Sequence, residues 1–195
     1  VPLEIVHYPH PVLRHVSKPI RRVDNQLRAW VAEMIDLMYE HEGVGLAANQ
    51  VALPYRLFVM NPTGDSQQPE EERVIINPVL SRAKGTQVRE EGCLSLPGVH
   101  ADVIRSKSIH LEGYDLEGNE ISVDLVDFPA RVVQHETDHL DGRLFIDRLA
   151  PSVQATLRDL VAEFEIDYES RLETGEAPGD ADVMAAIDRL ESERT

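Results

Sequence analysis

The chain has a single cysteine, Cys93, among its 195 residues. An internal disulfide framework is therefore excluded, and the lone thiol suits a reducing compartment. Long hydrophobic runs are missing too: no apolar stretch approaches the ~18–20 residues needed to span a bilayer. The opening VPLEIVHYPHPVLR is interrupted by charges and prolines and does not read as the apolar core of a secretion signal. A cytoplasmic location without membrane contact is the expectation. Positive charge is scarce, with 19 Lys+Arg against 35 Asp+Glu and a formal charge of −16. That balance argues against a protein that grips nucleic acid through bulk charge. Repeats and low-complexity tracts are absent from the sequence. What is present is material for a core: 42% of the residues are hydrophobic, which excludes wholesale disorder. At this length folding buries roughly 70% of the unfolded surface, in one domain with room for an appendage.

Four prolines in residues 1–20 predict an extended, turn-rich lead-in. Asp24 caps a predicted helix to about His41, because Leu27, Trp30, Val31, Met34, Leu37 and Met38 recur at helical spacing. Gly43 and Gly45 are expected to end it. Runs rich in β-branched residues then predict strands at 56–61, 74–80, 103–115 and 119–128, with residues 63–73 as an exposed polar loop and 115–118 as a hairpin connection. A second helix is expected from about Pro129 to Asp141, with Gly142 as its stop. Residues 151–195 hold 12 acidic and 4 basic side chains, so half the net charge lies on less than a quarter of the chain. They read as two helices, 152–173 and 180–193, separated by TGEAPGD. Leu157, Leu160, Val161, Phe164 and Ile166 predict an apolar stripe on the first, and Val183, Ile187 and Leu190 one on the second.

Three segments carry chemistry. His135-Glu136-Thr137-Asp138-His139 places two imidazoles four residues apart, on one face of a helix, where they can converge on one ion with Glu136 beside it. Taken alone, two solvated histidines on a helix explain the same five residues. The other six histidines, His7, His10, His15, His41, His100 and His110, show no such spacing and read as surface or core residues. Cys93 stands in EGCLSLP (91–97), a glycine-flanked, proline-ended turn that can present a side chain and free backbone N–H groups. A lone cysteine is more often a small buried hydrophobe than a ligand. Paired with the two histidines, however, it completes a three-ligand set with an open fourth position, as a catalytic ion requires. The third segment, GVGLAANQ (43–50), lacks the Lys-Ser/Thr ending of a phosphate loop. It reads either as a helix stop with a short buried strand, or as a strand edge beside Gln50, whose amide can donate to an oxyanion.

GVGLAANQ, EGCLS and QHETDHLDG (134–142), in that order and at that spacing, resemble the signature motifs of the peptide deformylases. The resemblance covers residues 1 to about 150. It implies an α+β fold, with antiparallel sheets around a helix bearing the HExxH motif, as a catalytic metallohydrolase domain (1–150). An acidic helical C-terminal extension (151–195) follows. It implies Cys93, His135 and His139 as metal ligands, Glu136 as acid/base, and Gln50 with the Leu94 N–H as oxyanion donors. Gly45 and Gly92 would pair with the substrate backbone, and Val44 and Val132 would line the side-chain pocket. The implied reaction removes the N-formyl group from the initiator methionine of newly made polypeptides by metal-activated water hydrolysis. One divalent ion is implied, Fe2+ by the family's habit, with Zn2+ or Ni2+ suited to the same ligands. An endopeptidase of the zincin type would take a further ligand downstream, such as Glu163 or Glu165, and would leave two of the three motifs unexplained. A structural metal would need a fourth protein ligand. The acidic tail is expected to pack on the catalytic domain or on a second copy in a homodimer. A ribosome contact through a basic C-terminal helix is not expected.

Overall fold

The β-branched middle of the chain forms seven strands: β1 (Gly45–Ala47), β2 (Leu57–Met60), β3 (Arg73–Lys84), β4 (Gln87–Cys93), β5 (Leu96–Arg105), β6 (Ser108–Tyr114) and β7 (Glu120–Val126). The computed structural model describes residues 2–195. Five strands make one antiparallel sheet in the order β1-β2-β3-β6-β7, and β4 with β5 makes a separate two-stranded ribbon. Along β5 every second residue from Val99 to Arg105 is buried, the alternation of a ribbon with one face on the core.

One of the strand predictions changes. Residues 103–115 read as one strand because both halves are β-branched, but the chain breaks at Ser106 and Lys107 and passes from the ribbon into the larger sheet. Gln134 and Gln87 accept the crossing by donating to Ser106 O. The sequence reading also misses β4, whose Arg89, Glu90 and Glu91 look like a surface loop; its main-chain pairing with β5 holds it.

Helix α1 (Asn25–Glu40) begins as predicted, with Asp24 Oδ1 accepting from Leu27 N at 2.8 Å. It buries Leu27, Val31, Met34 and Met38 against β1 and β2. The left-handed residue after it is Glu42 (φ 55°) and not a glycine. Gly43 serves close approach instead, since a Cβ there would sit 3.0 Å from Leu94 Cδ1. Helix α2 (Asp127–Leu140) has Pro129 in its first turn and lies on the larger sheet through Ala130, Val132, Val133 and Leu140. Gly142 (φ 69°) follows its C-cap Asp141.

The tail forms α3 (Pro151–Thr174) and α4 (Asp180–Arg194). The stripe on α3 is only partly used: Leu157 and Phe164 pack on the core, while Leu160 and Ile166 stay 44% and 65% exposed. On α4, Val183 and Ile187 are buried in the cluster that holds Leu13, Leu96, Val99 and Phe145. The last turn ties down the lead-in. Glu191 meets His15 Nε2 and Lys18 Nζ at 2.6 Å, and Arg194 bonds Asp24 at 3.0 Å and the Tyr55 hydroxyl at 2.7 Å.

Candidate active site

Helix α2 brings His135 and His139 one turn apart, with their Nε2 atoms separated by 3.2 Å. The β4–β5 ribbon reaches them from the other side. Cys93 ends β4, pairs with Leu96 across the two-residue turn Leu94–Ser95, and sets its Sγ 3.4 Å from His139 Nε2. The three ligand atoms lie within 4.8 Å of one another. A thiol and two imidazole nitrogens aimed at one point fit a divalent cation, and the set leaves a fourth position free.

Around this set the predicted residues converge. Glu136 is 4% exposed, and its Oε2 has no hydrogen-bond partner among the described residues. The carboxylate lies directly against β1: a Cβ on Gly45 would overlap Glu136 Oε1 and come within 2.8 Å of Cδ. Gln50 follows in a short 3-10 turn (Ala48–Val51). Its Oε1 accepts from Ala47 N at 2.9 Å, so its amide nitrogen faces Ser95 Oγ at 3.2 Å and Cys93 Sγ at 3.4 Å. Asn49 ties this turn to α2 by donating to His139 O. The lead-in backs the same loops, with Val6 N donating to Gln50 O at 2.8 Å and Tyr8 N to Ser95 O at 2.9 Å. Leu94 N has no hydrogen-bond partner among the described residues. Val44 and Val132 share one apolar cluster. Gly92 lies under the His100 ring, 2.7 Å from where its Cβ would be.

The electrostatics follow from burial. Burial, with Glu91 and Asp138 adding to it, outweighs the pull of His135 and Arg105 and pushes the Glu136 carboxyl up to about 7. Burial also lowers His139 well below the ordinary imidazole range, helped by the positive charges of His135 and Arg105. For His135 burial acts downward, but hydrogen bonds to Cys93 and Glu91 and the Glu136 charge prevail and push it up to about 10. A divalent cation held at Nε2 would take the place of that proton.

Residues 2–155 match the family model for polypeptide deformylase. A peptide deformylase of Rhodopirellula baltica is 53% identical over 181 residues, 93% of this chain and 90% of that one. The chain belongs to the peptide deformylase family. It is a metal-dependent hydrolase that removes the N-formyl group from the initiator methionine of newly made polypeptides. The chloroplastic peptide deformylase 1B of Solanum lycopersicum is 42% identical over 172 residues, 88% of this chain and 61% of that longer one. A crystal structure of Arabidopsis thaliana peptide deformylase 1B with an inhibitor superposes with a TM-score of 0.83 at 39% identity, covering 87% of this chain and 93% of that one. The Rhodopirellula match leaves only 7% of the chain uncovered, so most of the acidic tail is shared with that relative although the family model stops at residue 155.

Sequence reasoning passed over the charged residues behind the deformylase site. Glu91 Oε2 lies 2.9 Å from His135 Nδ1. The same carboxylate takes two bonds of 2.8 Å from Arg105 and one of 2.5 Å from Arg131, and Arg105 continues to Asp138 at 2.5 Å. Burial opposes ionisation of Glu91, yet the Arg105 and His135 bonds hold it well below the usual carboxylate range. The signal for this network was available in the strand pattern. Arg105 occupies a buried position of β5's alternation, and a charge there needs a partner.

Proposed function

We propose that Cys93, His135 and His139 hold the metal ion of deformylation, that Glu136 is its acid/base group, and that Gln50 Nε2 and the Leu94 N–H stabilise the oxyanion. The convergence of the three ligand atoms within 4.8 Å, with Glu136 buried alongside, carries this reading. A divalent cation held there supplies Lewis acidity, lowering the pKa of a water from 15.7 towards about 7. Glu136 takes a proton from the attacking water and returns it to the leaving amine. Burial raises the Glu136 carboxyl above the ordinary carboxylate range, which favours returning the proton once it has been taken. Gln50 is pinned through Ala47 N, so its amide N–H points inward without reorganisation. Each such donor is worth about 10²–10³ in rate.

The peptide lies along the free edge of β1 at Gly45 and beside Gly92, with the methionine side chain against Val44 and Val132. β1 is the outermost strand of its sheet, which supports main-chain pairing on that side. Ferrous iron is the ion we assign, and zinc or nickel fits the same donors. N-formylmethionyl nascent chains in the cytoplasm are the substrates. No helix among the described residues is long and apolar enough to cross a membrane.

The test combines anaerobic purification, elemental analysis and a formyl-Met-Ala assay on the same sample, for the wild type and for Glu136→Gln. The variant is expected to keep about one metal per chain and its melting temperature while losing at least about 10²-fold in kcat. Retention of more than about a tenth of the activity removes Glu136 from the acid/base role.

A further inference from the structure

The two histidines of the metal set are supported unequally. His135 has an outer partner, with its Nδ1 2.9 Å from Glu91 Oε2. His139 has none: the residue is 1% exposed, and its Nδ1 has no hydrogen-bond partner among the described residues. With Nε2 committed to an ion, a neutral imidazole carries its proton on Nδ1. The acceptor of that proton fixes the tautomer and the orientation of the ring. A buried N–H left without any acceptor is rare in folded proteins.

Asn49 carries the complementary half. It is fully buried in the 3-10 turn Ala48–Val51, one residue before Gln50. Its Nδ2 donates to His139 O. A carbonyl oxygen only accepts, so this contact decides which end of the amide is nitrogen. Oδ1 is therefore the free end, an acceptor with no partner among the described residues. The grip on His139 O is not needed to finish α2, because Gly142 N already donates to the same oxygen at 3.0 Å. A donor without an acceptor and an acceptor without a donor thus lie on two residues that already touch.

We propose that Asn49 is a positioning residue for the metal ligand His139, gripping its carbonyl with Nδ2 and accepting its Nδ1 proton with Oδ1. The inference rests on the reading of His139 as a ligand. The bond closes by a small turn of the imidazole about its soft second side-chain torsion or across one bridging water, and the acceptor is the same in both. One planar carboxamide then holds both the helix backbone and the ring, so the direction of Nε2 is set before an ion arrives. Glu91 and Asn49 divide the work: the ribbon gives His135 a charged partner, and the turn after β1 gives His139 a neutral one.

The test loads the full chain with Zn2+, a diamagnetic probe ion, and compares wild type with Asn49→Ala and Asn49→Asp after isotope labelling of the histidine ring nitrogens. NMR reads zinc coordination from the Nε2 shift and follows the Nδ1 protons of His135 and His139. In wild type both protons should exchange slowly with solvent. Asn49→Ala should speed exchange of the His139 proton at least about tenfold, leave the His135 proton unchanged, and release zinc to EDTA about 10–100-fold faster. Asn49→Asp keeps an acceptor and should restore the slow proton and bring zinc release to within about threefold of wild type. A merely structural role would not single out one proton of one ring. If Asn49→Ala does not fold, Asn49→Leu, of similar size to asparagine and equally without polar atoms, replaces it under the same criteria. Three results overturn the proposal: a His139 proton that exchanges in the alanine variant as in wild type, zinc release within about twofold of wild type, or an aspartate variant that behaves like the alanine one. A wild-type His139 Nε2 without the zinc shift would instead remove His139 from the ligand set, and with it the reading on which this inference stands.

Discussion

Gly45 is a glycine because the Glu136 carboxylate fills the space a side chain would need. The sequence marked both residues, 91 positions apart, but not that they touch. Gly45→Ala should therefore push the carboxylate out of place. A loss of at least about tenfold in kcat/KM is expected, with metal content unchanged, and steady-state kinetics with elemental analysis checks both. Glu91 is the complementary case, a residue inside a recognised motif whose work is visible only in three dimensions. Its carboxylate bridges Arg105, Arg131 and the Nδ1 of His135. Partners of this kind orient a ligating imidazole, and losing one typically costs about 10–100-fold in metal affinity or activity. Glu91→Gln should shed its ion faster to a chelator and lose turnover within that range. Wild-type chelation kinetics in the variant would reduce Glu91 to a packing role.

At the scale of elements, legibility followed locality. Helices α1 and α2 were read to within a few residues because apolar periodicity, the Asp24 cap and the Pro129 and Gly142 boundaries all act over one or two turns. Strands needed partners that a local pattern does not contain. The β4–β5 ribbon pairs exposed, charged residues such as Glu90 with Asp102, so β4 did not look like a strand. The apolar residues of α3 outnumber the positions that reach the core, and Leu160 and Ile166 were left outside. The short β1 has a different consequence. Its outer edge is unpaired within the sheet, so a bound peptide can extend the sheet through main-chain hydrogen bonds. N-methylation of the residue after methionine should raise KM markedly with little change in kcat for peptides that still turn over. Indifference to the methyl group would exclude strand addition.

Across the whole molecule, the C-terminal residues close a ring from the lead-in through α1 to α4. Glu191 is buried between His15 and Lys18. Burial opposes its charge, but the Lys18 and His15 hydrogen bonds prevail and lower its carboxyl below the ordinary 4.5. A carboxyl depressed in the folded state contributes stability above its unfolded pKa and loses it as pH falls through the folded value. Glu191→Gln should therefore melt below wild type at pH 7, by about 2–4 °C for each kcal/mol lost in a chain of this size. The gap should close as pH drops below about 4.5. Thermal melts of both proteins from pH 7 to 3.5 check this, and a gap that stays constant would mean lost packing instead of lost charge pairing.

The sequence by itself determined the family and the reaction that goes with it. The Cys93, His135 and His139 set, Glu136 and Gln50 stand in three ordered motifs, and the motifs carry the family with them. It also determined the principal helices, since caps and periodicity act between near neighbours. Only the tertiary structure decided how those parts support one another. Glu136 against Gly45, Arg105 and Arg131 on Glu91, and Arg194 on Asp24 join residues 14 to 170 positions apart. Their energies depend on burial and on the partner's position, and neither exists until the sheets and helices have packed.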